Sequence, residues 1–258
     1  MVNVTIVTVC YNSSRTIIDT FDSVLCQTLI PFEYIIIDGG SNDGTINIIK
    51  DYESEFLDKG IIFKWYSEKD AGIYDAMNKG LSLATGDWLH FLNSDDYYMN
   101  KYVLENVYRY LLQSTAMVLY GQTISVGENK QSLISPIPAH QLGLNMLIGC
   151  PIQQPSTFFR RSLFVDKKYK FDISFRVSAD YKMFVQMIND GIHFQFIPIF
   201  VTCFNEGGVS TLCRDDLTFK EDIQVLKDCK VSTLLMRMKA NSVVRKILIV
   251  LFQILSKF

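Results

Sequence analysis

The sequence predicts an α/β fold in which a mostly parallel central sheet carries helices on both faces. Strand and helix signals alternate through the first hundred residues, the strand segments are apolar runs, and turn clusters separate them. The chain has 258 residues, of which 48% are hydrophobic, and a formal net charge of −2. These values exclude a disordered chain, and the absence of a basic excess argues against nucleic acid as a partner.

The first strand is predicted over residues 2–9, which are rich in β-branched side chains. No basic segment precedes it, so we interpret it as part of the fold and not as a signal peptide. Ser13 or Ser14 is expected to cap a helix over 15–28 that ends before Pro31. The next predicted elements are a strand over 32–38, a helix over 46–56, a strand over 60–68, a helix over 72–84 and a strand over 86–93.

Polar residues follow each of these four predicted strands, at the end where a parallel sheet binds ligands. They are Asn12, Asp38, Glu68, Asp70, Asp95 and Asp96. Because four strands deliver acids or amides to one edge of the sheet, the pattern predicts a binding site there.

The second half has a less regular pattern. Its predicted elements are a helix over 101–113, a strand over 117–126, a loop, strand and turn over 151–164, a helix over 178–190, a strand over 192–204 and a flexible loop over 205–210. The sequence has no internal repeat and no linker, so residues 1–220 are expected to form one domain. Six cysteines without a metal-type spacing indicate reduced, buried thiols in a cytoplasmic protein.

The pair Asp95–Asp96 allows two interpretations. It could cap the next helix, since acids are favoured at a helix N-terminus. It could also bind Mg²⁺ or Mn²⁺, which prefer carboxylate oxygens and bind together with substrate phosphates. Asp38 and Asp70 on the same edge favour the metal site. Neither a dinucleotide-binding glycine motif nor a P-loop occurs, which removes support for dehydrogenases and P-loop NTPases.

Three segments, "IIIDGGSNDGT", "YSEKDAGIYDAMNKG" and "NSDD", together resemble family 2 glycosyltransferases of the GT-A fold. The resemblance is closest to bacterial enzymes that build O-antigen, capsule and exopolysaccharide. It implies an inverting, metal-dependent transfer of a sugar from a UDP-hexose or UDP-N-acetylhexosamine. The implied acceptor is a hydroxyl of a saccharide carried on a polyprenyl diphosphate. Residues 1–100 would bind the nucleotide-sugar, and residues 101–220 would bind the acceptor and supply the catalytic base.

The resemblance also implies roles for individual residues. Asp38 would contact the base, Asp43 would order its loop, and Asp180 would be the general base. Asp70 and Lys79 would face the ribose and diphosphate of the donor. The implied donor-binding set is Thr8, Val9, Tyr11, Asn12, Asp38, Asp43, Asp70, Asn78, Lys79 and Asp95, with Asp96 as the metal ligand. The loop 205–210 resembles one that closes over the donor.

Three positions depart from the family pattern. Gly39 replaces a second acid, Ala179 replaces a glutamate, and Gln153 replaces a histidine, which puts the acceptor contact there in doubt. Two other functions stay open: a non-catalytic nucleotide-sugar-binding scaffold and, with less support, a sugar-nucleotidyltransferase. Asp180 could also be simply a helix N-cap.

Residues 221–258 are predicted to form an amphipathic helical tail. From residue 230 onward the tail carries six cations and no acid. It could pack on the catalytic domain or join two copies into a homo-oligomer. Its charge sign and apolar face favour an in-plane helix on an anionic membrane surface through 231–258. Together with the lipid-linked acceptor, this predicts a cytoplasmic protein, peripheral on the inner face of the cytoplasmic membrane.

Overall fold

A computed structural model describes residues 2–127, 130–134, 137–146, 149–206 and 216–229. The predicted loop beyond Glu206 and the tail region 230–258 lie outside these residues. The strands are β1 (Val4–Cys10), β2 (Glu33–Asp38), β3 (Ile62–Ser67), β4 (Trp88–Phe91), β5 (Tyr97–Tyr98), β6 (Val118–Gly127), β7 (Lys130–Ile134), β8 (Thr157–Arg160) and β9 (Phe194–Asn205). The α-helices are α1 (Ile17–Leu25), α2 (Thr45–Asp58), α3 (Ile73–Leu83), α4 (Val103–Gln113), α5 (Leu142–Asn145), α6 (Ser162–Val165), α7 (Ala179–Asn189) and α8 (Asp216–Asp228). Two short 3₁₀ turns span Ala139–Gln141 and Gln154–Ser156.

The strands of the described residues form one sheet in the order β3-β2-β1-β4-β8-β6-β9-β5, with β7 paired to β6. The first four strands in this order are all parallel. Strand β8 then runs antiparallel to both β4 and β6, while β9 is parallel to β6. The α/β prediction is therefore confirmed, and the regular alternation in the first hundred residues corresponds to the purely parallel part of the sheet.

Alternate side chains of the central strands enter two separate apolar layers, as the two-residue period of a strand requires. Val7 and Val9 pack on the face covered by α3 and α7. Ile6 and Cys10 pack on the opposite face, which α1, α2 and α4 cover. Every residue of β1 and β2 is buried, which explains why both strands are continuous apolar runs in the sequence.

Two predicted helix caps are wrong. Helix α1 begins after Thr16, without a side-chain cap. The hydroxyl of Ser13 lies 2.8 Å from that of Ser94, and the backbone N–H of Ser14 donates to Asp43 over 2.9 Å. The two serines therefore connect the loops at the sheet edge. The sequence "NSDD" opens no helix either, because β5 follows it directly and α4 begins only at Val103.

The predicted strand around Pro198 is a single long strand, β9. Between Tyr120 and Gln122 its pairing with β6 shifts, so that Pro198 lies within an irregular stretch of the ladder. Proline has no N–H to donate to the ladder, so such a stretch accommodates it. The irregularity lets β9 continue to Asn205, at the sheet edge where the acids lie.

Helix α8 crosses the predicted domain boundary at residue 220. Its Glu221 accepts hydrogen bonds from the backbone N–H groups of Arg176, Val177 and Ser178, at 2.8, 3.0 and 3.0 Å. These contacts fix the segment that leads into α7. The division of the chain at residue 220 stays a prediction. No helix in the described part of the chain is both long and apolar enough to span a membrane, and the five cysteines described there form no disulfide.

Candidate active site

The carboxyl ends of β1 to β4 lie side by side along one edge of the sheet, because these strands are parallel and adjacent. The loops that follow them bring the predicted polar residues to this edge. Asn12 follows β1, and Asp70 lies in the loop after β3. Asp95 and Asp96, called the acid pair below, lie between β4 and β5. The edge is therefore a continuous row of polar loops.

Asp38, the last residue of β2, is fully buried at 0% exposure. Its carboxylate accepts hydrogen bonds from the backbone N–H groups of Gly40 and Ser41, each at 3.0 Å. It also accepts hydrogen bonds from the hydroxyls of Ser41 at 2.5 Å and Ser67 at 2.6 Å. Both oxygens are thus used to hold the loop after β2 against β3, and the contact with the base stays a prediction.

Asp43 ties the loop after β2 to the loop after β1. Its carboxylate accepts the backbone N–H and the hydroxyl of Thr45, at 3.1 and 2.6 Å, and the N–H of Ser14. Burial alone would raise its pKa, but these hydrogen bonds outweigh that effect and hold the pKa well below its usual range. The side chain therefore stays ionised and orders both loops.

In the segment Thr8–Asn12, only the two residues that follow β1 are exposed to solvent. Thr8 and Val9 are buried, and the Thr8 hydroxyl donates to the backbone oxygen of Leu92 over 2.6 Å. Tyr11 is 63% exposed. Asn12 has a positive φ of 51°, and its side-chain oxygen accepts the N–H of Asn42. Tyr11 and Asn12 are therefore the members of this segment placed to meet a ligand.

Asp70 lies against the end of β2. Its carboxylate accepts the N–H of Gly72 over 2.9 Å. A Cβ atom at Gly39 would lie only 2.6 Å from Asp70 Oδ2. The glycine that departs from the family pattern therefore leaves room for the Asp70 carboxylate.

Asn78 and Lys79, the two residues of α3 predicted to contact the nucleotide-sugar, both bind other residues of the protein. Lys79 pairs with Glu68 at 2.9 Å and with Asp75 at 3.5 Å. The hydrogen bond to Glu68 is the main reason why the pKa of Lys79 is raised. The Asn78 amide donates to and accepts from the backbone of Phe171, at 2.8 and 2.9 Å. Asn78 thus joins α3 to the segment before α7, and donor binding by either residue stays a prediction.

The acid pair differs from Asp38 in that the Asp96 carboxyl group has few hydrogen-bond partners. Asp96 is 0% exposed, and its Oδ1 has no hydrogen-bond partner. Its carboxyl group receives a long bond of 3.4 Å from Asn93, whose own side-chain oxygen is buried without a partner, and a contact from the backbone N–H of Asn205. Burial raises the pKa of Asp96 well above its usual range, and the charge of Asp95 raises it further. Asn205 at the end of β9 donates to the backbone oxygen of Asp95 over 2.7 Å.

A divalent cation fits this arrangement. No group of three or more potential ligands from His, Cys, Asp and Glu occurs within the described ranges. Mg²⁺ commonly binds through one or two carboxylates and takes its other ligands from phosphates and water. The unpartnered Oδ1 of Asp96, a hard oxygen donor beside Asp95, suits that mode.

Asp180 lies in the first turn of α7, with Ser178 at the N-cap position, so the alternative that Asp180 is itself the cap is wrong. The Tyr74 hydroxyl donates to its carboxylate over 3.2 Å, which links α7 to α3. Burial raises the pKa of Asp180 to about 6, although hydrogen bonds from Tyr181 and Tyr74 oppose the shift. A carboxylate with this pKa can accept a proton at neutral pH.

The sequence did not indicate the hydrogen bonds that join β4 to β5, the two strands on either side of the acid pair. His90 in β4 is fully buried, with Nδ1 2.9 Å from the Tyr98 hydroxyl and Nε2 2.9 Å from the Pro155 carbonyl. Because a carbonyl only accepts, Nε2 carries the proton and Tyr98 donates to Nδ1. A histidine in the middle of an apolar strand was the signal that could have found this connection.

A family model described as "Glycosyl transferase family 2" matches residues 5–179. A PGL/p-HBAD biosynthesis glycosyltransferase of Mycobacterium bovis is 30% identical over 197 residues, which cover 75% of this chain and 73% of that protein. An uncharacterized glycosyltransferase of Mycobacterium tuberculosis is 30% identical over 179 residues, covering 69% of this chain and 65% of that protein.

Two solved structures share the fold. TarS 1-349 of S. aureus, in complex with UDP-GlcNAc, gives a TM-score of 0.70 at 17% identity and covers 89% of this chain. This chain covers 66% of that TarS chain, about two thirds of its length. The mannosyltransferase PcManGT of Pyrobaculum calidifontis, in complex with GDP-Man and Mn²⁺, gives 0.61 at 16% identity, covering 100% of this chain and 81% of its own.

Proposed function

We propose that this protein, which belongs to glycosyl transferase family 2 and has a GT-A type fold, transfers its sugar with inversion and depends on a divalent metal. It is a glycosyltransferase. The proposed donor is a UDP-hexose or UDP-N-acetylhexosamine, and the proposed acceptor is a hydroxyl of a lipid-linked saccharide in bacterial surface polysaccharide synthesis. The observation that carries the proposal is the buried, unpartnered carboxylate oxygen of Asp96 at the sheet edge.

Asp96, with Asp95 beside it, would hold Mg²⁺ or Mn²⁺, which when bound neutralises the negative charge of the departing diphosphate. The nucleoside would lie toward β1, where Tyr11 and Asn12 reach the surface. Asp70, which lies beside Gly39, would bind the ribose or the diphosphate. TarS has been solved with UDP-GlcNAc and PcManGT with GDP-Man and Mn²⁺, which supports a nucleotide-sugar and a divalent cation for this chain too.

Asp180 is the proposed general base. The acceptor hydroxyl oxygen attacks the anomeric carbon, and the bond from that carbon to the diphosphate oxygen breaks as the new glycosidic bond forms. The hydroxyl proton passes to Asp180, and the diphosphate leaves with the electron pair. Since one carboxylate acts on the face opposite the leaving group, the configuration at the anomeric carbon inverts. The raised pKa of Asp180 favours uptake of this proton.

The acceptor and the location are proposed on the sequence. The cationic, apolar region 231–258 would hold the enzyme on the anionic inner face of the cytoplasmic membrane. A lipid-linked acceptor would lie in that same membrane. One matched relative carries the words PGL/p-HBAD biosynthesis in its name.

The proposal is tested first by thermal shift with UDP-glucose, UDP-galactose, their N-acetyl forms, GDP-mannose and dTDP-rhamnose, each with Mn²⁺ and with chelator. A donor that binds the folded enzyme raises the melting temperature by linkage. We expect a shift with one UDP-sugar that requires the metal. A shift that persists in chelator would contradict metal dependence, and no shift with any of these compounds would contradict the proposed donor class.

Transfer by Asp180→Asn tests the base. We expect kcat to fall by about 10²- to 10⁴-fold while the metal-dependent thermal shift persists. In the wild type, kcat/KM should fall about tenfold per pH unit below about 6, where Asp180 of the free enzyme becomes protonated, and level off above it. A fully active Asp180→Asn enzyme would remove Asp180 from the mechanism.

A further inference from the structure

The 3₁₀ turn Gln154–Ser156 lies on the sheet edge beside the acid pair. It leads directly into β8, which is antiparallel to β4 with His90 opposite Phe158. The start of β8 therefore lies at the carboxyl end of β4, where the chain turns into the acid pair. The Pro155 carbonyl binds Nε2 of His90 from this position.

The turn is held rigidly from two sides. Ser156 places its hydroxyl 2.6 Å from that of Thr123 in β6 and 2.6 Å from that of Thr202 in β9. Strand β9 continues to Asn205, which binds the backbone of Asp95. The turn and the acid pair are thus fixed to the same two strands, β4 and β9.

Gln154 is only 5% exposed, and its side-chain Nε2 is buried without a hydrogen-bond partner. A buried amide N–H group that finds no acceptor destabilises the fold, because it has given up its hydrogen bond to water. Gln27, equally buried at 4% exposure, shows the usual solution. Its amide donates to the backbone oxygens of Ser23 and Asn100, both at 2.9 Å, and accepts the N–H of Leu104 at 3.1 Å.

The order of the strands indicates what the Gln154 amide meets. A nucleotide-sugar is a linear molecule of nucleoside, diphosphate and sugar. If the nucleoside lies at β1 and β2 and the diphosphate at the acid pair after β4, the sugar extends to the next strand in the sheet. That strand is β8, and Gln154 lies immediately before it.

We propose that the Gln154 side-chain amide donates a hydrogen bond to a hydroxyl of the sugar being transferred, and so helps to select the donor. This inference rests on the function proposed above. A site that hydrogen-bonds a substrate hydroxyl discriminates strongly against sugars that lack it or present it differently, because the buried amide is then left unpaired.

The experiment compares Gln154→Met with Gln27→Met, since methionine keeps the length of the side chain and removes the amide. Affinities are measured by calorimetry, with Mn²⁺, for UDP and for the UDP-sugar that gives the largest thermal shift. We expect Gln154→Met to bind UDP within about twofold of the wild type and the UDP-sugar about tenfold more weakly, the equivalent of one lost hydrogen bond. Gln27→Met should lower the melting temperature, because it loses three internal hydrogen bonds, and leave the ratio of the two affinities unchanged.

Three results would overturn the inference. Equal weakening of UDP and UDP-sugar would mean that Gln154 acts on the acid pair and not on the sugar. Unchanged donor affinity with a raised KM for the acceptor would assign the amide to the acceptor, and unchanged affinity and kinetics would remove it from the site. The proposed function fails separately, and this inference with it, if the wild type binds neither UDP nor any UDP-sugar.

Discussion

The end of β2 and the loop after β4 carry carboxylates at the same edge of the sheet, yet the protein surrounds those carboxylates in opposite ways. Asp38, the last residue of β2, accepts four hydrogen bonds from the backbone and from serine hydroxyls. Asp96 after β4 is equally buried, but one oxygen has no partner, and the carboxyl group receives only a 3.4 Å bond from Asn93 and a backbone contact from Asn205. Burial alone therefore does not distinguish the two acids, whereas their hydrogen bonds do.

The difference separates a structural role from a ligand-binding role. A saturated buried carboxylate stabilises the fold, because each hydrogen bond to a charged group contributes about 1.5–3 kcal/mol. An unsaturated buried carboxylate costs stability, and the fold retains it only if something outside the chain completes it. The loop after β2 thus builds the shape of the edge, while under the proposed function the region after β4 would supply its chemistry.

The largest expected effect comes from Asp96→Asn. We expect transfer to fall by about 10³-fold or more, because the charge that would hold the cation is lost. The free energy of unfolding should stay within about 1 kcal/mol of the wild type or rise, since burial already disfavours the carboxylate and the amide keeps its shape. Transfer rates with Mn²⁺ and urea unfolding at pH 7.5 measure the two quantities. A variant that is inactive because it is unfolded would contradict the distinction drawn here.

The substitution Asp38→Asn should lower the free energy of unfolding, whereas Asp96→Asn should not. The amide nitrogen at position 38 would face either two backbone N–H groups and the Ser67 hydroxyl or the Ser41 hydroxyl, so we expect the free energy of unfolding to fall by about 2–4 kcal/mol. Urea unfolding measures the loss, with Asp96→Asn as the matched control. If Asp38→Asn unfolds like the wild type but no longer raises its melting temperature with a nucleotide-sugar, Asp38 binds the donor directly.

Two other buried groups, His90 and Asp180, should make stability respond to pH in opposite directions. Burial lowers the pKa of His90 in β4 to about 4, from an ordinary value near 6.5. Since the unfolded chain then binds a proton that the folded state does not, this group makes stability fall as pH drops from about 6.5 to about 4. The raised pKa of Asp180 acts in the opposite direction, because the folded state takes up its proton first, between about 6 and 4.

Two variants separate these contributions. Relative to His90→Gln, which can keep both hydrogen bonds, the wild type should lose up to about 3 kcal/mol of stability between pH 6.5 and 4. Relative to Asp180→Asn, it should gain stability over pH 6 to 4. Urea unfolding at half-unit intervals of pH gives both differences. Differences that do not vary with pH would show that neither group titrates as its burial implies.

The sequence was sufficient to predict the parallel half of the sheet and the edge on which the acids lie. Continuous apolar runs indicated strands buried on both faces, and polar residues after each run marked one edge. The sequence could not show that the partners of Asp38 include Ser67, which belongs to another strand. Nor could it show that Gln154, almost sixty residues after the acid pair, comes to the same edge, because that depends on β8 running antiparallel to β4.

The smallest expected effect tests how the loop after β2 influences a ligand indirectly. In Gly39→Ala, the new Cβ would lie 2.6 Å from Asp70 Oδ2. That atom is the end of a side chain, so the carboxylate can move and stability should change by less than about 1 kcal/mol. The displaced Asp70 would bind the donor more weakly, by about 3- to 10-fold in Kd, or roughly 1 kcal/mol. The control is Gly143→Ala, where a Cβ meets nothing within 4 Å. Unchanged donor affinity in Gly39→Ala would show that Asp70 does not touch the donor. The diphosphate would then be bound by the region after β4, without a contribution from Asp70.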